Sequence, residues 1–369
     1  MSLIVSVLRA SHGDSILIRA DANSTKPFLI LVDGGPSDCF QKKQGPKIIP
    51  GPLQECLGTL AENNIVLDLV VMTHVDDDHI GGLLRAIQAE PYQQVLGSNV
   101  WFNSGRLIAS ELAENIPEGT DIQIMAAGGR QTSIAQGIAF DDQLCRMGVS
   151  DWSLKIACEK IVFSWGEITI LSPQEEQLRS LAKKWEHEES NLFTSGPSND
   201  YGYSLDELLE SDVFEEDKSV HNGSSIAFLI ESGDAKALFL GDAHAPTICT
   251  SLRNLGYSEE EPLTVGLCKL SHHGSKANTS MEFASRIDET TWEQQVIDML
   301  GRAILGDDLE LDSALDRACT VPLITTDDNF IRRALTNVPN IPLDGKEKSI
   351  QIRRKQIEEL LVQVTKYEN

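Results

Sequence analysis

The chain is poor in positive charge, has no long apolar run, and does not arrange its cysteines in pairs. Lysine and arginine total 31 against 56 aspartates and glutamates, a formal net charge of −25. Such a surface disfavours broad attraction to nucleic acid or anionic membrane, leaving only a local basic or metal-lined pocket to hold a phosphate. No stretch approaches the roughly 20 apolar residues that carry a helix across a bilayer. The opening MSLIVSVLRASHGDS has no charged segment followed by a long apolar one, and reads as a first strand rather than a signal peptide. The seven cysteines are odd in number and scattered, with no CxxC pair. That pattern fits reduced thiols in a cytoplasmic protein. Cys158 and Cys268 sit in apolar settings and are expected in the core. Neither a fixed-period repeat nor a low-complexity tract occurs.

What is present is enough for a large core. The chain has 369 residues, 41% of them hydrophobic, and that length allows two layers of sheet. Three short β-rich runs, Leu3–Leu8, Ser15–Arg19 and Phe28–Val32, open the chain with turn residues between them. A helix is expected at Gly51–Glu62, a strand at Leu67–Met72, a helix at Gly82–Ala89 and a strand at Gly97–Asn103. Helix is also expected near Ser110–Glu114 and Ser133–Ala139. Lys160–Phe163 and Glu167–Ser172 read as strands, followed by a charged helix, Glu175–Glu189. Ser190–Gly202 reads as a loop and Leu205–Glu210 as a short helix. Ser225–Glu231 and Ala237–Leu240 read as strands around a turn at Ser232–Asp234. A helix at Pro246–Gly256 and a strand at Thr264–Leu270 follow.

The densest chemistry lies in VVMTHVDDDHIGG, Val70–Gly82. A buried strand runs into His74, Asp76, Asp77, Asp78 and His79, and open α/β sheets place their sites at such strand ends. In extended chain His74, Asp76 and Asp78 leave on one side, while His79 points elsewhere as a helix begins. One loop can then serve two adjacent ions, His74 and Asp76 on one, Asp78 and His79 on the other. Taken alone the loop also suits a carboxylate-rich helix start favoured by the helix dipole. The other histidines weigh against that bland reading. His272 and His273 end a strand, His221 precedes one, and His244 follows Gly241-Asp242 after another. Of the eight histidines, only His12 and His187 lie elsewhere. His244 reads as an exposed helix-start residue, and Asn103 as a turn residue.

Six segments in order resemble the metallo-β-lactamase-fold hydrolases, most closely the hydrolase domain of the competence protein ComEC. They are HGDSILI (His12–Ile18), LVDGG (Leu31–Gly35), THVDDDHIGG (Thr73–Gly82), HNGSSIAFLI (His221–Ile230), LFLGDA (Leu238–Ala243) and KLSHHGSKANTS (Lys269–Ser280). The resemblance implies an α/β fold, an αββα sandwich over residues 1–285, with two divalent metal ions, zinc or manganese, at the sheet edge. It implies metal ligation by His74, Asp76, Asp78, His79, His221, Asp242 as the bridging carboxylate, and His272 or His273. Asn222 competes with His221. Asp33 is implied as a support that orients the loop; Asp77, pointing away from the first-site ligands, reads as a supporting or solvated residue rather than a ligand. The second histidine of the family's loop is Asp76 here. An aspartate makes that site harder and more anionic, which shifts preference towards manganese, iron or magnesium.

Two such ions would activate water and stabilise the attacking and leaving oxygens of a phosphoryl displacement. The expected activity is therefore that of a metal-dependent phosphodiesterase or nuclease. Asp78, His272 and His273 are the expected catalytic groups, and Ser275, Lys276 and Asn278 the expected substrate contacts. The net charge favours a small phosphodiester, or nucleic acid delivered by a partner protein. The same ligands would also serve hydrolysis of a small ester, lactone or thioester, or a structural metal in an assembly subunit. Residues 286–369 change in texture, with helices expected at Trp292–Leu305, Leu311–Arg317, Asn329–Leu335 and Ile352–Val364. Leu311–Leu335 weakly resembles half of a PIN nuclease domain, with Asp312 and Asp327 as the matching acids. No strand-ending aspartate supplies a first half, so a structural cap or partner surface is expected.

Overall fold

A computed structural model describes residues 2–10, 12–21, 26–112, 133–149, 152–188 and 216–288. The first half runs β1 (Ser2–Val7), β2 (Ile16–Asp21), β3 (Phe28–Val32), α1 (Ser37–Phe40), β4 (Gln41–Gln44), β5 (Lys47–Pro50) and α2 (Pro52–Glu62). It continues through β6 (Leu69–Val71), α3 (Asp77–Ala86), α4 (Tyr92–Val95), β7 (Val100–Trp101), α5 (Gly105–Leu112) and α6 (Ser133–Met147). The second half runs β8 (Lys160–Phe163), β9 (Gly166–Ser172), α7 (Glu175–Glu188), α8 (Val220–Gly223), β10 (Ala227–Ser232), β11 (Ala235–Phe239), α9 (Ala245–Asn254), β12 (Leu267–Lys269) and α10 (Met281–Ser285).

These strands make two five-stranded sheets, β1-β2-β3-β6-β7 and β12-β11-β10-β9-β8, and β4 and β5 form a separate hairpin. The apolar runs show why β3 and β6 are interior strands. In β3, Ile30 and Val32 join one buried cluster and Leu29 and Leu31 the other. Leu69 and Val71 divide from Val70 and Met72 in the same way across β6. A strand buried on both faces has no polar alternation to show. By contrast β2 alternates buried Ile16, Ile18 and Ala20 with exposed Arg19.

One cluster joins the two sheets. It contains Ile18, Ile30, Val71 and Trp101 of the first with Ile168, Ile170, Phe228 and Phe239 of the second. Phe28 of β3 meets Phe163 and Trp165 at ring distances of 5.0 and 5.4 Å. Each such aromatic pair contributes about 0.5–1.5 kcal/mol beyond the buried area. The outer face of the first sheet is covered by α1, α2, α3, α6 and α7 through Phe40, Leu53, Leu83, Phe140 and Trp185. On the second sheet α9 packs against β9, where Ser251 Oγ donates to the Leu171 carbonyl. The protein is thus a mixed α/β structure with two sheets facing one another.

Several expectations from the sequence shift. The helix of the ligand loop starts at Asp77, not Gly82, so only His74 and Asp76 remain on extended chain. Backbone bonds secure the early start: Asp14 N–H donates to Asp78 O, Gly34 N–H to His79 O, and Gly82 N–H to Gly35 O. The strands expected at 97–103 and 264–270 shrink to Val100–Trp101 and Leu267–Lys269. Additional elements include α1, the β4–β5 hairpin, α4, α10 and α8, which carries His221. Cys268 is buried but Cys158 is exposed, on left-handed backbone with φ 77°.

Ile287 is buried and bridges to Leu263, so the packed unit reaches just past residue 285. The tail helices, the PIN-like stretch with Asp312 and Asp327, and the segments at 190–202 and 205–210 lie outside the described residues. Among the described residues no helix is long and apolar enough to cross a membrane.

Candidate metal centre

Strand direction gathers the polar residues. β3, β6 and β7 run parallel to one another, as do β11 and β12, whereas β2 and β10 run against their neighbours. The starts of β2 and β10 therefore lie at the same rim as the ends of β3, β6, β11 and β12. That rim carries Asp14, Asp33, Thr73, His74, His79, His221, Asp242, His272 and His273. Mixed sheets concentrate ligands at carboxyl ends of strands for this reason.

A buried carboxylate organises the centre. Asp33, on left-handed backbone with φ 55°, accepts from Thr73 N–H at 2.8 Å and Thr73 Oγ1 at 2.7 Å, and lies 2.7 Å from His79 Nδ1. An ionised carboxylate only accepts, so His79 carries its proton on Nδ1 and leaves Nε2 as a lone pair. Thr73 spends its hydroxyl proton on Asp33 and accepts from His74 Nδ1, 3.0 Å away. His74 Nε2 is then also a lone pair. One aspartate thus sets the tautomer of two histidines, directly for His79 and through Thr73 for His74.

His221 is oriented by a different acid. Its Nδ1 lies 2.9 Å from Asp76 Oδ1. Asp76 occupies the N-cap of α3 yet makes no side-chain cap bond. An aspartate there normally accepts from the first-turn N–H groups, a contact worth about 1 kcal/mol. Its carboxylate turns to His221 instead, and the other oxygen stands 3.8 Å from His74 Nε2.

The Nε2 atoms of His74 and His79 converge on Asp242. His74 Nε2 is 3.6 Å from Asp242 Oδ2, and His79 Nε2 is 3.3 Å from Asp242 Oδ1. His74, His79 and Asp242 offer donor atoms within 4.8 Å of one another. His74 Nε2, His79 Nε2, His221 Nε2 and Asp242 Oδ1 are all buried without a hydrogen-bond partner. A buried polar atom left unmatched costs about 1–3 kcal/mol, and the three gathered at His74, His79 and Asp242 mark a place that a cation would satisfy. The donor set fits a divalent ion: imidazoles held through their other nitrogen, plus a carboxylate. The field agrees. Burial opposes charge on His79, but Asp242 and Asp33 outweigh it and hold its pKa well above the usual value. Burial, with His79 close by, lowers His74. Burial disfavours ionised Asp242, yet His79 and His74 keep it well below the usual carboxylate range.

A second group adjoins the first. His273 Nε2 is 3.1 Å from Asp78 Oδ2, and its Nδ1 is 3.5 Å from Asp14 Oδ1. Lys269 Nζ is ion-paired with Asp14 and donates to Gly241 O at 3.1 Å. His272 Nδ1 lies 3.1 Å from Asn278 Oδ1 and 3.6 Å from Asp217 Oδ2, and its Nε2 is 3.9 Å from Asp242 Oδ2. The Asp217 contact raises the His272 pKa to about 9, against the effect of burial. His272 and His273 both adopt left-handed backbone, φ 48° and 56°, which swings successive rings to opposite partners.

The expected residues separate by position. His74, His79 and Asp242 meet at one point, with Asp76 3.8 Å from His74 and holding His221 to one side. Asp78 and His273 face each other in the adjoining group. Asp77 is exposed and accepts from Gln136 Nε2 at 2.5 Å, away from the ring nitrogens. Asn222 donates to Asp217 at 2.6 Å, and its Oδ1 is among the unmatched buried atoms. Asn278 is buried and already engaged, donating to Asp217 and Asp242 O while His272 meets its oxygen. The structure therefore places Asn278 under His272. Ser275 is half-buried, its N–H bonded to His272 O; the side chain of Lys276 is outside the described residues. His244 starts α9 as its N-cap, as expected, but it is partly buried rather than exposed. Its ring packs on Gly223, and Nε2 is buried and 4.0 Å from Asp217 Oδ1. Asn103 is buried and clamps the backbone of Lys155.

Sequence reasoning passed over Asp14, Thr73, Asp217 and Lys269. Asp14 and Lys269 stand inside the motifs His12–Ile18 and Lys269–Ser280, which was the available signal. Asp217 has none, since it follows a long polar stretch. No protein-family model matches the chain, and no curated protein matches its sequence.

Proposed function

We propose that the chain is a metal-dependent hydrolase of phosphodiesters, built on the αββα sandwich of the metallo-β-lactamase fold. The observation that carries this reading is the convergence of His74 Nε2, His79 Nε2 and Asp242, buried and unmatched at one rim, with His221 Nε2 also unmatched where Asp76 holds its ring. His74, His79 and Asp242 would hold a zinc or manganese ion, with Asp76 and His221 at its edge. The two facing sheets, with helices outside both, supply the layers that the fold requires. A divalent ion bound there supplies Lewis acidity and a water that is nucleophilic near neutral pH.

The chain's own residues supply the rest. Asp33 and Thr73 hold the imidazoles in the tautomer that leaves their lone pairs facing inwards. Asp217 and Asn278 fix His272 so that Nε2 faces the Asp242 side, where it meets a leaving oxygen as proton donor. Ser275 and Lys276, next in the chain, would be the phosphate contacts. The net charge of −25 keeps free nucleic acid away, so the substrate is a small phosphodiester or a strand presented by a partner protein.

The test is purification, metal analysis, and assay of bis-p-nitrophenyl phosphate, single-stranded DNA, RNA and a lactone with added zinc or manganese. Phosphodiester turnover lost in His79→Ala and Asp242→Ala is expected. A protein that takes up metal but turns over only the lactone, or nothing, would replace this reading with ester hydrolysis or a structural site.

A further inference from the structure

Resting on that metal reading, we infer that the centre holds one divalent ion, and that the Lys269 ammonium occupies the place of a second. The two neighbouring groups of side chains differ in what they leave unmatched. In the first, His74, His79, His221 and Asp242 each present a buried atom with no hydrogen-bond partner. In the second, no buried atom of Asp14, Asp78, His273 or Lys269 is left so.

The second group closes on itself. Asp78 meets His273 Nε2 at 3.1 Å, Asp14 lies 3.5 Å from His273 Nδ1, and Lys269 bridges Asp14 to Gly241 O. Asp14, His79 and His273 have the spacing of a metal site. However, the His79 atom nearest Asp14 is Nδ1, 4.0 Å away, and that nitrogen is committed to Asp33 at 2.7 Å. His79 has one lone pair to give, and it faces Asp242.

Lys269 is not a wandering surface lysine. Its backbone pairs with Phe239 in the β11–β12 ladder, and its side chain is only 16% exposed. The ammonium is therefore delivered to the carboxyl end of β12, beside the turn that aims His273. It meets the charge requirement of Asp14 with a fixed cation. A divalent ion placed against it would meet direct repulsion in a poorly solvated site.

The experiment counts ions. Full-length protein is loaded with manganese or, separately, zinc, desalted, and measured by plasma mass spectrometry against protein concentration. One ion per chain is expected in the wild type. Lys269→Met, which keeps the stem and removes the charge, is expected to rise to two, while Lys269→Arg stays at one. Two ions in the wild type would overturn the inference and leave the metal reading standing. One ion in both wild type and a folded Lys269→Met would also overturn it, because the lysine would then exclude nothing. No ion in the wild type would overturn the metal reading itself. The wild-type count decides even where Lys269→Met fails to fold.

Discussion

The carboxylate of Asp76 holds the ring of His221 at 2.9 Å, across 145 positions of the chain. Nothing local favours this contact, since Asp76 forgoes its helix cap to make it. Asp76→Ala should therefore lower both stability and metal binding. No cap bond is lost, but the buried Nδ1 of His221 loses its partner, which costs about 1–3 kcal/mol and should lower the melting temperature. Metal affinity should fall roughly 10–100-fold, the usual cost of releasing the group that orients a ligating histidine. Calorimetric titration of the stripped protein would show it, and an unchanged affinity would refute the role.

Asp33→Asn tests the tautomer relay. The new amide must accept from Thr73 N–H with its oxygen, so its NH2 faces Thr73 Oγ1 and His79 Nδ1. Both histidines then move their protons to Nε2, into the centre. The fold should survive at a cost of about 1–3 kcal/mol, with metal uptake largely abolished. Uptake equal to the wild type would mean that the relay does not set the tautomers.

Gly82→Ala sets propensity against space. Alanine is favoured over glycine within a helix by about 1 kcal/mol. A Cβ at Gly82, however, would run into the carbonyl of Gly34, and that atom is backbone. The contact where α3 crosses the loop after β3 should dominate, so the variant should melt below the wild type. A higher melting temperature would show that the loop yields.

Asp141 offers a pH signature away from the centre. Burial raises its pKa, only partly offset by Ser104 and Arg106. A carboxyl with a raised native pKa binds its proton more tightly when folded than when unfolded. Its contribution is therefore favourable at low pH and lost as pH rises through the unfolded and then the folded value. Asp141→Asn should show a flatter decline of stability across that window in denaturant titrations at several pH values. Parallel curves for the two proteins would rule the effect out.

Much of the centre was legible in the chain because the relevant signals are local. Val70–Gly82 carries a strand period, a change to helix and the ligands between them. The pairs His272-His273 and Gly241-Asp242 end strands visibly. Less was legible where position depends on partners far away. Asp14 reads as a turn residue, and Asp77 differs from Asp78 only through the phase of a helix whose start the loop contacts of Asp14, Gly34 and Gly35 secure.

The sequence by itself determined the kinds of donor, the rim at which they gather and the two-faced apolar strands beneath, since side-chain chemistry and residue period need no partner. Only the tertiary structure decided which carboxylate serves which imidazole. Asp33 went to His79, Asp76 to His221, Asp217 to His272, and Asp14 to Lys269. Aspartates are chemically alike along a chain. What separates them is the order and direction of strands, which bring residues 145 positions apart within a hydrogen bond.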